Sequence, residues 1–320
     1  MARGRSIGHW LGFGAACAVA LLLPLQSALA WGPEGHRVIA LVAEHVLQRS
    51  DPAALAKVSA LLATDRDDRL SKTDIASEAN WADVLAEKSP EARTATTAWH
   101  FTRINADSPD LARACFDHPP LPPGYPASHG PQNNCSADKV AQFAAELRAP
   151  ATSPHERLAA VQFLLNLVGD LHDPMHAIDH GDQGGRCVAL QIGSKPPVRL
   201  STYWEETLVR EVAGSDAAGG AAHIAAAIPA GETARWAEGD PAAWALETFR
   251  LAKSVAYSFT AGKPTGTHDF PAVKGQPAVC ASVPLYRVGP EYETKALATV
   301  RERLAVAGVR LARLLRGTVK

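Results

Sequence analysis

The chain has 320 residues, of which 47% are hydrophobic and 20% charged, and its mean hydropathy is −0.08. This ordinary globular composition excludes a collagen-like, coiled-coil or largely disordered chain. The near-balance of 32 basic and 33 acidic residues excludes a global positive field, so positive charge for a polyanionic ligand has to be local, and a bound metal ion can supply it.

Residues 1–30 have the features of a secretory signal peptide. Two arginines open the chain, an apolar run extends from Gly14 to Leu25, and Ala28-Leu29-Ala30 satisfies the small-x-small cleavage rule. The alternative is a membrane anchor, but the run is short for a bilayer span. We expect cleavage before Trp31, a mature domain over residues 31–320 without a membrane span, and a secreted or periplasmic location.

Helical periodicity dominates the rest of the chain and predicts a single, mainly α domain. Apolar spacing predicts helices over 35–48, 73–86, 136–147, 154–172, 241–257 and 290–316, with a further helix from about Leu200. Ser153-Pro154 is a capping pair that starts one of these helices, and Asp173-Pro174 ends it. Residues 107–134 and 262–284 are rich in turn-forming residues and predict surface loops. Residues 188–192 predict a strand of a small hairpin.

Four cysteines remain after the predicted cleavage site: Cys115, Cys135, Cys187 and Cys280. An even number in an exported chain indicates two disulfides, and the sequence alone allows three pairings. We favour Cys115 with Cys135, which closes the proline-rich loop between them, and Cys187 with Cys280. The sequence has no Cys-x-x-Cys pair, which argues against a thiolate zinc site.

The predicted helix 154–172 carries polar residues in an apolar setting. Gln162, Asn166 and Asp170 lie at four-residue spacing on one face and are flanked by phenylalanine and leucine. A carboxylate in such surroundings needs a cationic partner, either a buried arginine or a metal ion, because burial otherwise raises its pKa until it is neutral.

The residues that follow favour the metal. Six potential ligands fall within eleven residues: Asp170, His172, Asp173, His176, Asp179 and His180. Pro174 breaks the helix there, so these side chains can turn toward a common centre, and imidazole and carboxylate are common zinc ligands. The alternative is a solvated polar loop.

Three other places offer ligands. Asp83 follows a large apolar anchor in Trp81-Ala82, and His100 lies between two aromatic residues, where it is either a ligand or an ordinary core histidine. Cleavage before Trp31 would free an α-amino group that can chelate a metal together with the carbonyl of the same residue, and His36 lies five residues further on.

These pieces, in this order, resemble the secreted zinc-dependent single-strand-specific nucleases, which share a superfamily with zinc-dependent phospholipase C. The resemblance covers the whole mature chain and implies a mainly helical fold with a cleft for three zinc ions. The motifs that carry it are Trp31-Gly-x-x-Gly-His36, Trp81-Ala-Asp83, Trp99-His100-Phe101, Gly169-Asp170-Leu-His-Asp-Pro-Met-His176, Gly181-Asp-x-Gly-Gly185, Tyr203-Trp204-Glu205 and Ala307-Gly-Val-Arg-Leu-Ala312.

The resemblance also implies a set of site residues. The implied metal ligands are Trp31, His36, Asp83, His100, Asp170, His176 and Glu205. Trp31 and His36 hold the first ion, Asp170 bridges it to the second, and Asp83 and Asp170 are the catalytic candidates. Phe101 matches an aromatic residue on which a base stacks. Arg103 is the second substrate-binding candidate.

Several positions depart from the family pattern. Asn166 and Ser201 stand where two ligating histidines are expected, and amide and hydroxyl oxygens are poor zinc ligands beside imidazole. Glu205 replaces an aspartate, which is conservative. Arg103 stands where the family has an acid, and Arg186 stands where it has an asparagine. The family pattern has three zinc ions, and because of these departures we expect either two or three here.

The implied activity is that of a monomeric, zinc-dependent endonuclease that hydrolyses single-stranded DNA or RNA to 5′-phosphorylated products. Two zinc ions about 3.5–4 Å apart lower the pKa of a bridging water toward ~7 in such sites. The departures imply an altered or reduced activity. Two alternatives stay open: a phosphoesterase with another substrate, such as a phospholipid headgroup or a 3′-nucleotide, and a non-catalytic, zinc-stabilised relative that binds nucleotides.

Overall fold

The structure is a computed structural model and describes residues 30–67, 72–131, 133–271 and 280–316. The predicted signal peptide, apart from Ala30, lies outside the described residues. The helices are α1 Gly32–Ser50, α2 Pro52–Leu62, α3 Ile75–Glu78, α4 Trp81–Lys88, α5 Pro90–Thr96, α6 Ser136–Arg148, α7 Pro154–Leu171, α8 Pro174–Ala177, α9 Leu200–Thr202, α10 Leu208–Ala213, α11 Ala217–Ala226, α12 Glu232–Trp236, α13 Pro241–Leu251 and α14 Pro290–Arg316.

The mainly α fold is confirmed, and the capping signals explain its central helix. The side chain of Ser153 accepts a hydrogen bond from the backbone N–H of Glu156 at 3.2 Å, and Pro154 occupies the first turn of α7. The helix ends at Leu171, one residue before the predicted end. From Ala159 onward every residue of α7 is buried, so this helix forms the centre of the molecule.

The segment predicted as one helix over 73–86 is two helices. Asp74 caps α3, because its side chain accepts the backbone N–H of Ser77 at 2.9 Å. The chain breaks between α3 and α4, where the carbonyl of Ala79 accepts a hydrogen bond from the side chain of Asn166 on α7 at 3.0 Å. A tertiary contact thus takes up the carbonyl that would have continued the helix.

The prediction of a loop over residues 262–284 is wrong in part, because this segment contains strand residues. The strands are β1 Ile104–Asn105, β2 Ile178–Asp179, β3 Ala189–Ile192, β4 Val198–Arg199, β5 Gly266–Asp269 and β6 Ser282–Val288. The larger sheet has the order β4-β3-β6-β5, and β3 pairs in parallel with β6. Pro284 within β6 obscures the strand pattern in the sequence, whereas the predicted β3–β4 hairpin is confirmed.

Both favoured disulfides are present. Cys115 is bonded to Cys135, and Cys187 is bonded to Cys280. The second bond joins the loop before β3 to a residue two positions before β6, so it ties together the two parallel strands of the larger sheet.

Close packing around α1 and α7 determines where the site forms. A Cβ added to Gly308 on α14 would lie 2.5 Å from Cγ1 of Val42, so glycine is needed where α14 crosses α1. Trp99 packs edge-on against Phe163 with their ring centroids 5.3 Å apart, and Phe163 stacks on Phe143 of α6 at 4.7 Å. These aromatic contacts fix the 3₁₀ turn Thr97–His100 against α7.

Within the ranges that the structure describes, no helix combines the length and the apolar character that a bilayer crossing needs.

Candidate metal centre

Two glycines allow the start of α1 to pack against the end of α7. A Cβ on Gly35 would lie 2.5 Å from Cβ of Trp31, and a Cβ on Gly169 would lie 2.7 Å from Nδ1 of His36. The indole N–H of Trp31 donates to the carbonyl of Gly169 at 2.9 Å. The first glycine-rich motif therefore places Trp31 and His36 beside Asp170.

Asp170 is at the centre of the candidate site. Its Oδ2 accepts a hydrogen bond from Nδ1 of His100 at 2.7 Å. Its Oδ1 lies 3.4 Å from Nε2 of His36 and 3.9 Å from Nδ1 of His176. All four side chains are buried. One carboxylate thus contacts imidazoles from α1, the 3₁₀ turn Thr97–His100 and α8.

Asp83 completes this first group from α4. Its carboxylate lies 3.8 Å from Nδ1 of His100 and 3.9 Å from Nε2 of His36. Asn166 donates to Oδ2 of Asp83 at 2.7 Å with the same amide nitrogen that binds the carbonyl of Ala79. At the position of the expected histidine, Asn166 therefore presents N–H groups to its neighbours.

A second group of ligand atoms lies beside the first. Asp173, His176 and Glu205 each offer one atom, and these atoms all lie within 4.8 Å of one another. The N–H at Nδ1 of His176 donates to the carbonyl of His100 at 2.6 Å, so its Nε2 faces Glu205, 3.9 Å away. Glu205 lies in a π-helical turn, Tyr203–Thr207, an irregularity that is frequent at functional sites.

The hydrogen bonding of the cluster is incomplete, which tests whether it fits a metal. Among the described residues, neither ring nitrogen of His36, nor Oδ1 of Asp170, nor Oδ1 of Asn166 has a hydrogen-bond partner, although all are buried. An unpaired buried polar atom costs about 1–3 kcal/mol. Nitrogen and oxygen donors in this state suit a zinc ion, which would bind them directly.

The charges of the first group are strongly coupled. Burial raises the pKa of Asp170, but His100 and His36 outweigh this effect and hold it below its ordinary value. Burial lowers the pKa of His100, yet Asp170 and Asp83 raise it to about 9. Without a metal, protons on the imidazoles therefore neutralise the carboxylates.

The second group lacks such compensation. Burial raises the pKa of Asp173 to about 7. Burial and the neighbouring Asp173 raise the pKa of Glu205 well above its ordinary value. Burial also lowers the pKa of His176 to about 3, so that this imidazole is neutral. Two buried acids beside a neutral imidazole form a site that favours a cation.

The structure brings together all seven ligands that the sequence predicts, and their roles as ligands stay predictions. Trp31 contributes through its backbone, whose N–H donates to Oδ2 of Asp173 at 2.9 Å. His172 lies outside the group, because Val168 and Arg310 occupy its two ring nitrogens. Ser201 is buried at the other expected histidine position.

Sequence reasoning did not assign Asp173 as a ligand. It was counted among the six potential ligands after α7 and as part of the signal that ends that helix, but it was not placed in the implied ligand set; its Oδ1 caps α8 by accepting the N–H of Met175 at 2.8 Å. The available signal was its position between Asp170 and His176 in one short motif. A residue with a local capping role can also direct its second oxygen into a site.

Phe101 and Arg103 lie next to this second group. The ring centroid of Phe101 lies 4.2 Å from the ring centroid of His176 and 4.0 Å from Cζ of Arg103. Phe101 thus packs against both His176 and the guanidinium of Arg103. A base that stacks where Arg103 now lies over the ring would have to displace that guanidinium.

Comparison with known proteins places this arrangement in a family. Endonuclease 4 of Arabidopsis thaliana is 24% identical over 304 residues, which cover 91% of this chain and 90% of the relative. Endonuclease 2 of the same plant is 24% identical over 308 residues, which cover 92% of each protein. The family model described as S1/P1 Nuclease matches residues 31–320. Because that match spans most of the sequence, the chain belongs to the S1/P1 nuclease family.

Proposed function

We propose that this protein is a zinc-dependent endonuclease that cuts single-stranded DNA or RNA and leaves 5′-phosphorylated products. Family membership supports hydrolysis of phosphodiester bonds. The observation that carries the zinc dependence is the buried group around Asp170, in which His36 and Asp170 retain polar atoms without partners among the described residues. Atoms of this kind are the ones that a bound metal would use.

In this proposal, His36, Asp83, His100 and Asp170 hold a pair of zinc ions with the backbone of Trp31. Asp173, His176 and Glu205 hold a further ion. When bound, zinc acts as a Lewis acid toward phosphate oxygens and lowers the pKa of a bound water toward ~7.

The chain's own residues orient and isolate this chemistry. The hydrogen bond from Nδ1 of His176 to the carbonyl of His100 fixes the tautomer, so that Nε2 is the ligand atom. Asn166 holds the carboxylate of Asp83 in place through its amide N–H. Burial of these side chains excludes bulk water and thus strengthens each electrostatic interaction.

We further propose that residues 1–30 are removed during export and that residues 31–320 form the mature, secreted or periplasmic enzyme. The two disulfides support an oxidising compartment. The backbone nitrogen of Trp31 lies 2.9 Å from Oδ2 of Asp173, so cleavage before this residue would expose an amino group inside the candidate centre.

The test combines metal analysis with hydrolysis. Correctly processed protein is loaded with zinc, the zinc-to-protein ratio is measured by mass spectrometry, and single-stranded DNA, RNA and phosphatidylcholine are offered as substrates. We expect two or three zinc ions per chain, cleavage of a nucleic acid, and products with 5′-phosphate ends. Asp83→Asn should lose zinc and activity, whereas the matched control Asp107→Asn, at an exposed position, should keep both.

Asn166 favours a second candidate, a zinc-stabilised relative that binds nucleotides without cutting them. Its amide N–H groups point at Ala79 and Asp83, where an imidazole ligand is expected, and this weakens the second metal position. Zinc-loaded protein that binds a mononucleotide tightly but leaves DNA, RNA and phospholipid intact would select this candidate. Activity on phosphatidylcholine alone would select a different phosphoesterase.

A further inference from the structure

Three arginines lie at the edge of the second ligand group, and none belongs to the proposed zinc sites. Arg103 places its guanidinium over the ring of Phe101, with Cζ 4.0 Å from the ring centroid, and Phe101 also packs against His176. Arg186 and Arg199 are contributed by the loop before β3 and by β4. Arg103 and the proposed ligand His176 thus contact the same aromatic ring.

The backbone links Arg186 and Arg199 directly. Nη1 of Arg199 donates to the carbonyl of Arg186, and the backbone N–H of Ser201 donates to the carbonyl of Gly185 at 3.3 Å. Cζ of Arg199 lies 4.2 Å from the ring centroid of Phe270. Both residues are only partly buried.

These positive charges lack close counterions. In the described part of the chain, no carboxylate lies within 4.0 Å of a guanidinium nitrogen of Arg103, Arg186 or Arg199. Burial lowers the pKa of Arg103 and of Arg199, and the charge of Arg186 lowers each further, whereas Asp179 raises that of Arg103. The nearest acidic influence on Arg186 comes from Glu205, a proposed zinc ligand.

We propose that Arg103, Arg186 and Arg199 form a phosphate-binding site at the mouth of the cleft, beside Asp173, His176 and Glu205. The inference rests on the proposed function, because it gives the substrate's phosphate groups a place next to the zinc centre. Guanidinium groups bind phosphate oxygens with paired N–H donors, and an anion would relieve their mutual repulsion.

This site changes what the protein recognises. The resemblance places an acid at position 103 and an asparagine at position 186, and both are replaced by arginine. The guanidinium of Arg103 also occupies space over the Phe101 ring where a base could stack. Recognition therefore depends on the phosphate more than on the base, and the arginines supply positive charge near the position where Ser201 replaces a ligating histidine.

Calorimetric binding to the zinc-loaded protein tests the proposal with three probes: inorganic phosphate, adenosine 5′-monophosphate and adenosine. Arg186→Met should weaken the binding of phosphate and of the monophosphate by about tenfold to a hundredfold, since one charge-assisted contact is lost. Binding of adenosine should not change. Arg186→Lys should retain part of the affinity, and the control Arg301→Met, on the exposed face of α14, should bind all three probes like wild type.

Equal phosphate affinity in wild type and Arg186→Met would overturn the proposal, as would an equal loss in Arg301→Met. The outcome is separable from the nuclease proposal. Loss of phosphate binding in a protein that never cuts nucleic acid supports the arginine site and refutes the nuclease. Efficient cutting with unchanged Michaelis constants in Arg186→Met supports the nuclease and refutes the arginine site.

Discussion

Two buried histidines near the ends of α1 and α7 show how different the surroundings of equally buried imidazoles can be. His36 and His172 are both fully buried. Both nitrogens of His36 lack hydrogen-bond partners among the residues described. In His172, by contrast, Nδ1 donates to the carbonyl of Val168 at 2.7 Å and Nε2 accepts from Arg310 at 2.9 Å.

The charged neighbours of the two histidines also differ. Arg310 binds the carbonyl of Trp236 at 2.9 Å and the carboxylate of Glu247, which Arg303 also contacts. Burial and these arginines lower the pKa of His172, so it is neutral. Around His36, burial lowers the pKa, but Asp170 and Asp83 raise it above its ordinary value. An imidazole whose two nitrogens are both hydrogen-bonded is structural, whereas one with open nitrogens beside two carboxylates favours a cation.

Exchanging each histidine for glutamine tests this difference with the largest expected effect. His36→Gln should reduce hydrolysis on the order of a thousandfold and lower the zinc content, because the loss of a metal removes several kcal/mol of charge stabilisation. His172→Gln should keep its zinc and lose stability instead. Steady-state kinetics and metal analysis of both variants check this. Equal zinc loss in the two variants would remove the distinction.

The second prediction concerns the structural network. Arg310→Met removes the donors to His172, Trp236 and Glu247. We expect a loss of about 3 kcal/mol in the free energy of unfolding, because the buried Nε2 of His172 loses its donor and a part-buried ion pair with Glu247 is broken, with an unchanged zinc-to-protein ratio. Denaturant titration of the zinc-loaded protein measures the first quantity. A variant of normal stability that had lost zinc would contradict it.

The third prediction is the pH dependence of chelated protein. In the folded chain, burial raises the pKa of Asp173 to about 7, and the pKa of His100 is about 9. Both groups bind more protons folded than unfolded, so stability should fall as the pH rises. The penalty from Asp173 is complete above about pH 7. The contribution of His100 is present below about pH 6.5 and is lost as the pH rises through 9.

Denaturant titrations of chelated protein at pH 6.0 and 8.0 should therefore differ by about 3 kcal/mol through these two groups, with greater stability at the lower pH, at roughly 1.4 kcal/mol per pH unit and group. Zinc-loaded protein should lose this trend, since zinc binds the deprotonated ligands. Identical pH profiles with and without zinc would show that these groups do not hold the metal.

The smallest expected effect comes from restoring the missing imidazole. Asn166→His should raise the zinc-to-protein ratio by up to one and increase hydrolysis severalfold, because imidazole is the better zinc ligand. The larger side chain enters a fully buried position, so a cost of about 1–3 kcal/mol in stability is expected. Ser201→His provides the matched test at the other departure. An unchanged zinc content in both variants would mean that other groups already complete the site.

Local signals in the sequence predicted much of the scaffold. The limits of α7 follow from Ser153-Pro154 and Asp173-Pro174, because capping and proline effects act within one helical turn. The break between α3 and α4 and the pairing of β3 with β6 were missed. Each depends on a partner more than eighty residues away along the chain, which no local pattern reveals.

For the site, the sequence shows which residue types are available, and the order of the motifs indicates which of them belong together. Which polar atoms have hydrogen-bond partners depends on how the chain packs. His172 and His36 look alike in the sequence, but only packing gives one an arginine and the other two carboxylates. It also decided that Arg103 covers Phe101. The physical reason is that hydrogen bonding and electrostatics act through space, between side chains that the fold brings together.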